Sequence, residues 1–167
     1  MLNFNHAGKA YINISAEAAA AQGVPAPTIG AALKREALAK ITQHAETYRA
    51  RLGMHSAVHV LEDRVKVEIA ADEAAASAAE LGLLDRWAAA RGTDRTGLVA
   101  DIAARGAAYR EIILTISALE AETVAAVRAV ADDAPDIAAQ LDAILASAQA
   151  EAETAVGAAL TLINGGT

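Results

Sequence analysis

Two histidines, His55 and His59, stand four residues apart and are the first candidates for chemistry in this sequence. On a helix they would share one face with Glu62 and Asp63 one turn further on, which is a spacing that metal sites use. The order is not His-Glu-x-x-His, however, and no third ligand stands at an obvious spacing. We therefore interpret the pair as structural or surface residues, and we expect no bound metal and no cofactor.

Other reactive residue types are equally isolated. The adjacent carboxylates Asp132 and Asp133 precede Pro135, so helix capping accounts for them without acid–base catalysis. No serine lies in a Gly-x-Ser-x-Gly turn that would expose a nucleophile, and the glycines stand singly except in the tail, so a phosphate-binding loop is not indicated. Cysteine is absent. The sequence predicts a protein that is not an enzyme.

A loose basic strip lies between residues 86 and 110, and acidic residues interleave with it almost one for one. The arginines are Arg86, Arg91, Arg95, Arg105 and Arg110, and the acids are Glu80, Asp85, Asp94, Asp101 and Glu111. We interpret the strip as a set of surface ion pairs. Because the net charge is -7 and the other basic residues are scattered, we expect no nucleic-acid partner.

The composition favours helices that pack weakly. The chain has 47 alanines among its 167 residues and only five aromatic residues, which is a poor supply for an aromatic-lined pocket. Alanine has the highest helix propensity but buries little apolar area. We therefore expect partner chains to supply part of the cohesion. No run approaches the roughly 18 apolar residues of a membrane span, so none is expected.

The N-terminal residues 1–27 are predicted to form a docking region. Residues 2–5 alternate apolar and polar and residues 10–14 are rich in strand formers, with Gly8 between them, which indicates a β-hairpin or strand arm. It could be a packed arm or an intermolecular docking strand. A short helix follows, capped by Ser15 and ended by Gly23, and then an extended linker around Pro25 and Pro27.

Residues 28–167 are predicted to form the helical body. A helix from Thr28 to about Leu52 carries apolar residues at spacings of three and four. Residues 56–70 fit either a strand, by alternation of β-branched residues, or a helix; we favour a helix that continues without a break into the alanine-rich stretch. It would end at Gly92, and Thr93 or Asp94 would start the next helix.

Two long helices follow. The first runs to about Ala131 and would be roughly 55 Å long at 1.5 Å per residue. The second begins at Asp133 as its N-cap. Joined by a tight turn, the two would form an antiparallel hairpin that buries both apolar stripes. The fold class is thus mainly α, an alanine-rich helical hairpin or bundle with a short N-terminal β-hairpin or strand arm.

We expect the apolar residues of the arm and of the long helices to form the interface with other chains. The residues predicted for it are Phe4, Tyr11, Ile12, Ile14, Ile112, Ile116, Leu119, Val127, Leu141 and Ile144. The expected assembly is a homo-oligomer, for which a trimer is one arrangement.

Residues 28–135 resemble tail-fibre and tail-associated proteins of bacteriophages and prophages. The pattern is carried by Ala39, Ile41, Ala45, Glu46 and Arg49; by Leu83, Leu84, Ala88, Ala89 and Gly92; and by Ala107, Ala108, Tyr109, Ile116, Leu119, Glu120 and Ala121. The valine-rich stretch 56–69 departs from it, where a Gly-rich turn and a Tyr-Lys segment would be usual.

The resemblance implies a non-enzymatic structural or assembly component of a phage tail, made in the host cytoplasm and located in the virion tail. It implies other tail proteins as partners and carries over no catalytic residue. The alternative function is an amphipathic surface-coating or scaffold protein similar to phasins, whose helices open to lay apolar stripes on a hydrophobic surface. Fixed turns at Gly92 and Asp133 argue against that alternative.

Overall fold

The computed structural model of the chain describes residues 1–52 and 66–164, and it confirms a mainly helical fold with a short N-terminal β-hairpin. Residues 66–71 are also helical. The strands and the other helices of the described residues are β1 (Leu2–His6), β2 (Lys9–Ile14), α1 (Ala16–Ala21), α2 (Ala26–Arg51), α3 (Ala78–Ala90), α4 (Arg95–Ala129) and α5 (Ile137–Asn164).

Polar side chains cap the N-termini of several of these helices, as the sequence predicted. Ser15 accepts a hydrogen bond from the backbone N–H of Ala18 at the start of α1. Asp94 accepts one from the backbone N–H of Gly97 at the start of α4. These bonds satisfy donors that the first turn of a helix leaves without partners. Gly92, with φ of +70°, follows the C-cap of α3.

The start of α2 corrects the prediction of an extended proline linker. The helix begins at Ala26, and Pro27 lies within its first turn. The backbone N–H groups of Thr28 and Ile29 both donate to the carbonyl oxygen of Pro25. A proline in the first turn removes only an N–H that would have no helical partner, so the helix tolerates it.

A second correction concerns the predicted continuous helix from Ser56 into the alanine-rich stretch. Residues 53–65 lie outside the described part of the chain, and residues 66–71 are helical, but 72–77 form a turn. Ser77 then caps α3 in a capping box, in which Ser77 accepts from the Glu80 N–H and Glu80 accepts from the Ser77 N–H. The Ser-x-x-Glu signature of this break was present in the sequence.

The turn before α5 also differs from the prediction. The helix begins at Ile137 rather than immediately after Asp133, and the carbonyl oxygen of Asp136 accepts from Gln140. The Asp136 carboxylate also accepts a hydrogen bond from the side-chain amide of Gln140, at 2.7 Å. Asp136, not Asp133, therefore occupies the position beside the first turn.

The chain divides into two compact units. Unit 1 comprises Met1–Tyr48 and Ile116–Glu153, and unit 2 comprises Arg49–Thr115 and Thr154–Thr167. The N-terminal hairpin thus belongs to the same unit as most of α2. The long helices α4 and α5 each contribute segments to both units.

Unit 1 has two clusters of buried apolar side chains. The first joins the hairpin to α1 and α2, and its members are Leu2, Phe4, Tyr11, Ala19, Val24, Ile29 and Ala32. The second joins α2 to the nearby segments of α4 and α5, and its members are Ala37, Ile41, Val127, Val130, Ile137 and Leu141. The large residues of the stripes therefore already have partners within the chain.

Unit 2 has its own cluster around Leu84, Ala88, Leu98 and Ile102, which brings α3 against α4. Val67 packs against this cluster from the helical residues 66–71. Gly106 of α4 permits that approach, because a Cβ at this position would lie 2.9 Å from a methyl carbon of Val67.

Candidate functional site

The N-terminal hairpin is the first candidate site, and its backbone geometry is unusual at two points. Its two-residue turn holds Ala7 at φ of 49° and Gly8 at φ of 74°, which are the positive angles of a type I′ turn. The pairing then changes register between Leu2 and Phe4, and Asn13 adopts φ of 53° opposite this point. The Asn13 N–H donates to the side-chain oxygen of Asn3 at 2.8 Å, which stabilises the bulge.

The two faces of the hairpin differ in exposure. Phe4 and Tyr11 are paired across the strands, and their rings stack with centroids 5.0 Å apart and planes 8° apart. Both rings are buried against the helices, together with Leu2. Ile12 follows Tyr11 on the strand and is 77% exposed, since neighbouring strand residues point to opposite faces. The hairpin is therefore a packed arm that still presents an apolar side chain to solvent.

The edges of the hairpin also lack a strand partner among the described residues. Within residues 1–52 and 66–164 the sheet has two strands, so each strand has an outer edge that pairs with no third strand. Such edges can accept a strand from another chain. Beside the hairpin lies a groove with apolar walls from Leu2, Ile14 and Leu141 and with the acidic residues Glu17 and Asp142 on it.

The structure places most of the predicted interface residues inside the chain's own core. Those buried there are Phe4, Tyr11, Ile112, Ile116, Val127 and Leu141, and those partly buried are Ile14, Leu119 and Ile144. Only Ile12 of the predicted set is exposed. In this conformation the nine other side chains are buried or partly buried within the chain. Ile12 is therefore the predicted interface residue that a partner could contact directly.

The basic strip forms ion pairs on unit 2. Arg95 makes a two-pronged contact with Asp85, in which Nε donates to Oδ1 at 2.7 Å, and it lies 3.9 Å from Glu73. The hydrogen bonds from Arg95 lower the pKa of the Asp85 carboxyl, and the same contact raises the pKa of Arg95. Asp101 lies 3.4 Å from Arg91 and 3.1 Å from Arg105. For these three arginines, the predicted ion pairing is confirmed.

A second candidate site was not predicted: a cavity on unit 2 that combines cations with aromatic rings. The Lys66 ammonium lies 4.6 Å from the centroid of the Trp87 ring, and the Arg91 guanidinium lies 4.9 Å from it. Arg105 and Tyr109 of α4 also line the cavity. The few aromatic residues had argued against such a pocket.

The signal for this cavity was a pair of four-residue spacings. Trp87 of α3 and Arg91 at its C-cap are four apart, while Asp101, Arg105 and Tyr109 follow one another at intervals of four on α4. Residues four apart share a helix face, so each helix presents its group to one side. The sequence pattern predicted one strip of arginines and did not separate the face of α3 from the face of α4.

His55, His59, Glu62 and Asp63 all lie outside the described residues. Within 1–52 and 66–164, no set of three or more His, Asp and Glu side chains is arranged to hold a metal ion.

Two polar side chains inside unit 1 make hydrogen bonds within the chain. Thr123 is buried, and its hydroxyl donates to the carbonyl oxygen of Leu119. Tyr48 donates to the Glu153 carboxylate at 3.2 Å. Both Thr123 and Tyr48 line a narrow groove between α2, α4 and α5. These contacts account for polar residues on otherwise apolar helix faces.

The chain matches no protein-family model, no curated protein and no solved structure. In the part of the chain that is described, no helix has both the length and the apolar character needed to cross a membrane.

Proposed function

We propose that this chain is a non-enzymatic structural or assembly component of a phage tail, acting by self-association and by docking to other tail subunits. The observation that carries the proposal is the hairpin: Phe4 and Tyr11 fix it to the helices, while Ile12 is exposed and, among the described residues, each strand has an outer edge without a strand partner. The tail assignment itself comes from the resemblance of residues 28–135 to tail-associated proteins.

The hairpin suits docking because its attachment and its contact surface are separate. The buried face holds the strands in place before a partner arrives, which reduces the ordering entropy that binding must overcome. The bulge at Asn13 lies next to Ile12, and bulges often redirect a neighbouring side chain. A partner strand could then pair along an edge while its side chains contact Ile12.

The alternative is a surface-coating protein similar to phasins. It would need the helices to separate, because the side chains of Leu98, Val127 and Val156 are almost fully buried in the folded chain. Among the described residues, the large apolar side chains that such a protein could present without unfolding are the exposed Met1, Ile12, Leu83, Ile113 and Leu114. The two functions therefore differ in whether the folded chain associates through its hairpin.

Sedimentation velocity of the purified chain at micromolar concentration tests the proposal. We expect a defined oligomer, or a monomer that forms a complex with a tail protein encoded beside its gene. Ile12→Asp should weaken that association, whereas Leu83→Asp, which changes an exposed leucine of α3 in unit 2, should not. Circular dichroism of both variants verifies that they remain folded.

Four results would count against the proposal. A wild-type monomer that binds none of the adjacent tail proteins would exclude docking, and a gene with no tail genes around it would remove the tail assignment. Equal weakening by Ile12→Asp and Leu83→Asp would show that the hairpin is not the contact. A monomer that coats lipid or polymer droplets would favour the phasin-like alternative.

A further inference from the structure

We propose that two copies of this chain associate through an exposed face of α4, with Leu114 of each copy seated in an apolar groove of the other. The face and the groove both lie within unit 2. The inference goes beyond the proposed function, which depends on the hairpin of unit 1, because it assigns a separate surface to contact between copies.

The exposed face consists of Ala107, Arg110, Glu111 and Leu114, which are spaced by three and four residues along α4. Residues at this spacing lie on one side of a helix, and all four are exposed. Leu114 is 63% exposed, and Ile113 beside it is 38% exposed. A single exposed leucine is common on protein surfaces and does not by itself indicate a partner. Leu114 differs from such a residue because a groove and two opposite charges lie next to it.

The groove beside Leu114 lies between α4 and the C-terminal part of α5. Its lining residues are Ala108, Glu111, Ile112 and Thr115 of α4 and Ala155, Ala158 and Ala159 of α5. The α5 wall therefore consists of alanines, and small side chains at a contact allow a second helix to approach closely. Leu114 is exposed and does not line the groove, so the chain does not fill the groove with its own leucine.

The groove has room for a leucine side chain. Its volume is about 140 Å³. An apolar cavity of about 150 Å³ holds a benzene molecule, which is larger than the isobutyl group of leucine. Seating that group in the groove of another copy would remove its apolar surface from water, which favours association.

Arg110 and Glu111 place opposite charges next to each other on the same face. Within residues 1–52 and 66–164 neither side chain forms an ion pair, in contrast to Arg91, Arg95 and Arg105 of the same basic strip. A surface that carries both signs of charge side by side is complementary to a second copy of itself. The two charges therefore indicate a second copy of this chain as the occupant.

Two-fold symmetry brings the charges and the leucines into register. When two copies of α4 run antiparallel across a two-fold axis, residues equally distant from the axis face each other. An axis between Arg110 and Glu111 places Arg110 opposite the partner's Glu111 and Leu114 opposite the partner's Ala107. Ala107 has a small side chain and precedes Ala108, which lines the groove. One arrangement thus pairs both charges and directs both leucines towards grooves.

Other occupants fit this surface less well. A partner of different sequence would have to supply a leucine-sized group, a groove and both charges, all of which a second copy already has. A lipid or polymer surface would leave Arg110 and Glu111 beside apolar chains without a hydrogen-bonding partner, which is costly.

Sedimentation velocity of the full chain from about 1 to 200 µM measures the association over the range of typical weak dimers. Wild type is compared with Ile12→Asp, which alters the hairpin contact and leaves the α4 face unchanged. We expect Ile12→Asp to remain a dimer. Leu114→Asp in the Ile12→Asp background should raise the dissociation constant at least about a hundredfold, because each dimer loses two buried leucines.

The matched control is Leu83→Asp in the same Ile12→Asp background. Leu83 is 59% exposed on α3 and lies outside the face and the groove, so the same substitution should leave the dissociation constant nearly unchanged. Circular dichroism and thermal melting verify that each variant is folded.

A charge exchange tests the two-fold arrangement separately. Arg110→Glu and Glu111→Arg should each weaken the dimer about tenfold, because each places like charges opposite one another. The double variant exchanges the two charges and should restore the dissociation constant to within about threefold of its parent. The single variants change the net charge in opposite directions, so a loss in both cannot come from general repulsion between acidic chains.

The inference fails if wild type and Ile12→Asp are both monomers up to about 200 µM. A wild-type monomer that binds a tail protein through Ile12 would overturn this inference while the proposed function stands. A dimer of Ile12→Asp that depends on Leu114, in a chain that binds no tail protein, would support this inference and count against docking through the hairpin.

Three further results would overturn it. Equal weakening by Leu114→Asp and Leu83→Asp would show that Leu114 is not at the contact. A double charge variant as weak as the single variants would exclude the pairing of Arg110 with the partner's Glu111. A monomer that binds phospholipid vesicles through Leu114 would assign the exposed face to a lipid surface instead.

Discussion

The ammonium nitrogen of Lys34 on α2 lies 2.8 Å from the carboxylate of Asp132, which follows the end of α4. The same nitrogen donates to the carbonyl oxygens of Val130, at 2.7 Å, and Arg128, at 3.2 Å. The last carbonyls of a helix have no intrahelical donors and carry the negative end of its dipole. Lys34 therefore caps α4 from a neighbouring helix.

Lys34→Met should lower the free energy of unfolding by about 2 kcal/mol, because it removes hydrogen bonds from a charged donor and leaves carbonyls without it. Urea denaturation measures the change. Lys40→Met is the matched control on the same helix: Lys40 pairs with Glu36 at 3.1 Å but is 47% exposed, so its loss should cost less than about 0.5 kcal/mol. Similar losses for the two variants would contradict the capping role.

Gly30 and Gly157 should respond to alanine in opposite directions. A Cβ at Gly30 would overlap the backbone carbonyl of Asp132, so Gly30→Ala should force the backbone to shift and destabilise the chain by about 1–3 kcal/mol. A Cβ at Gly157, within α5, would meet nothing within 4 Å, so Gly157→Ala should stabilise by about 0.5–1 kcal/mol. Urea denaturation of both variants tests this, and a shift of the same sign in both would refute it.

Ser77→Ala should lower the melting temperature by about 2–4 °C at neutral pH, because it removes the capping box of α3. The effect should depend on pH. Hydrogen bonds from the Ser77 side chain, and then from its backbone, lower the pKa of Glu80 below its ordinary value of 4.5. A lowered folded-state pKa stabilises the fold above that ordinary value, and the stabilisation is lost as pH falls through the folded-state pKa.

The difference in melting temperature between wild type and Ser77→Ala should therefore narrow from pH 7 to pH 3, because protonation removes the part that comes from the Glu80 carboxylate, while the Ser77 bond to the Glu80 N–H does not titrate. Ser147→Ala is the control, because Ser147 bonds to Glu151 within α5 and caps no helix. It should leave the melting temperature nearly unchanged at neutral pH. A gap between wild type and Ser77→Ala that widens in acid would show that the sign is wrong.

Ala7→Asn should stabilise the hairpin by about 0.5–1 kcal/mol. Ala7 adopts φ of 49°, which costs an ordinary L-residue more than it costs asparagine, and Asn-Gly is the preferred pair for this turn. Gly8→Ala should destabilise although a Cβ there would meet nothing within 4 Å, since its φ of 74° is the cause. Hydrogen exchange of the strand amides measures both. Slower exchange in Gly8→Ala than in wild type would contradict this account of the turn.

The sequence predicted the ends of helices well where a single capping residue determines them. The caps at Ser15 and Asp94 and the termination at Gly92 are confirmed, because short side chains and glycine act on the nearest turn. The hairpin is confirmed as well. The alternation of apolar and polar residues does not predict its bulge at Asn13.

The predictions were wrong where two local preferences compete. Pro27 was read as a helix breaker but lies in the first turn of α2, where its missing N–H has no cost. High alanine content suggested continuity before α3, yet the Ser77 capping box interrupts it. Of the candidate sites, the hairpin could be predicted, while the cavity around Trp87 required knowledge of which faces of α3 and α4 meet.

The small size of many core side chains has a calorimetric consequence. Among the described residues, the buried alanines are Ala19, Ala32, Ala37, Ala45, Ala88, Ala108, Ala152 and Ala159. Unfolding then hydrates less apolar surface per residue than it would in a leucine-rich bundle, so the heat capacity increment should lie at or below about 12 cal/mol/K per residue. The stability curve should accordingly be shallow, with free energy that changes slowly between cold and warm conditions.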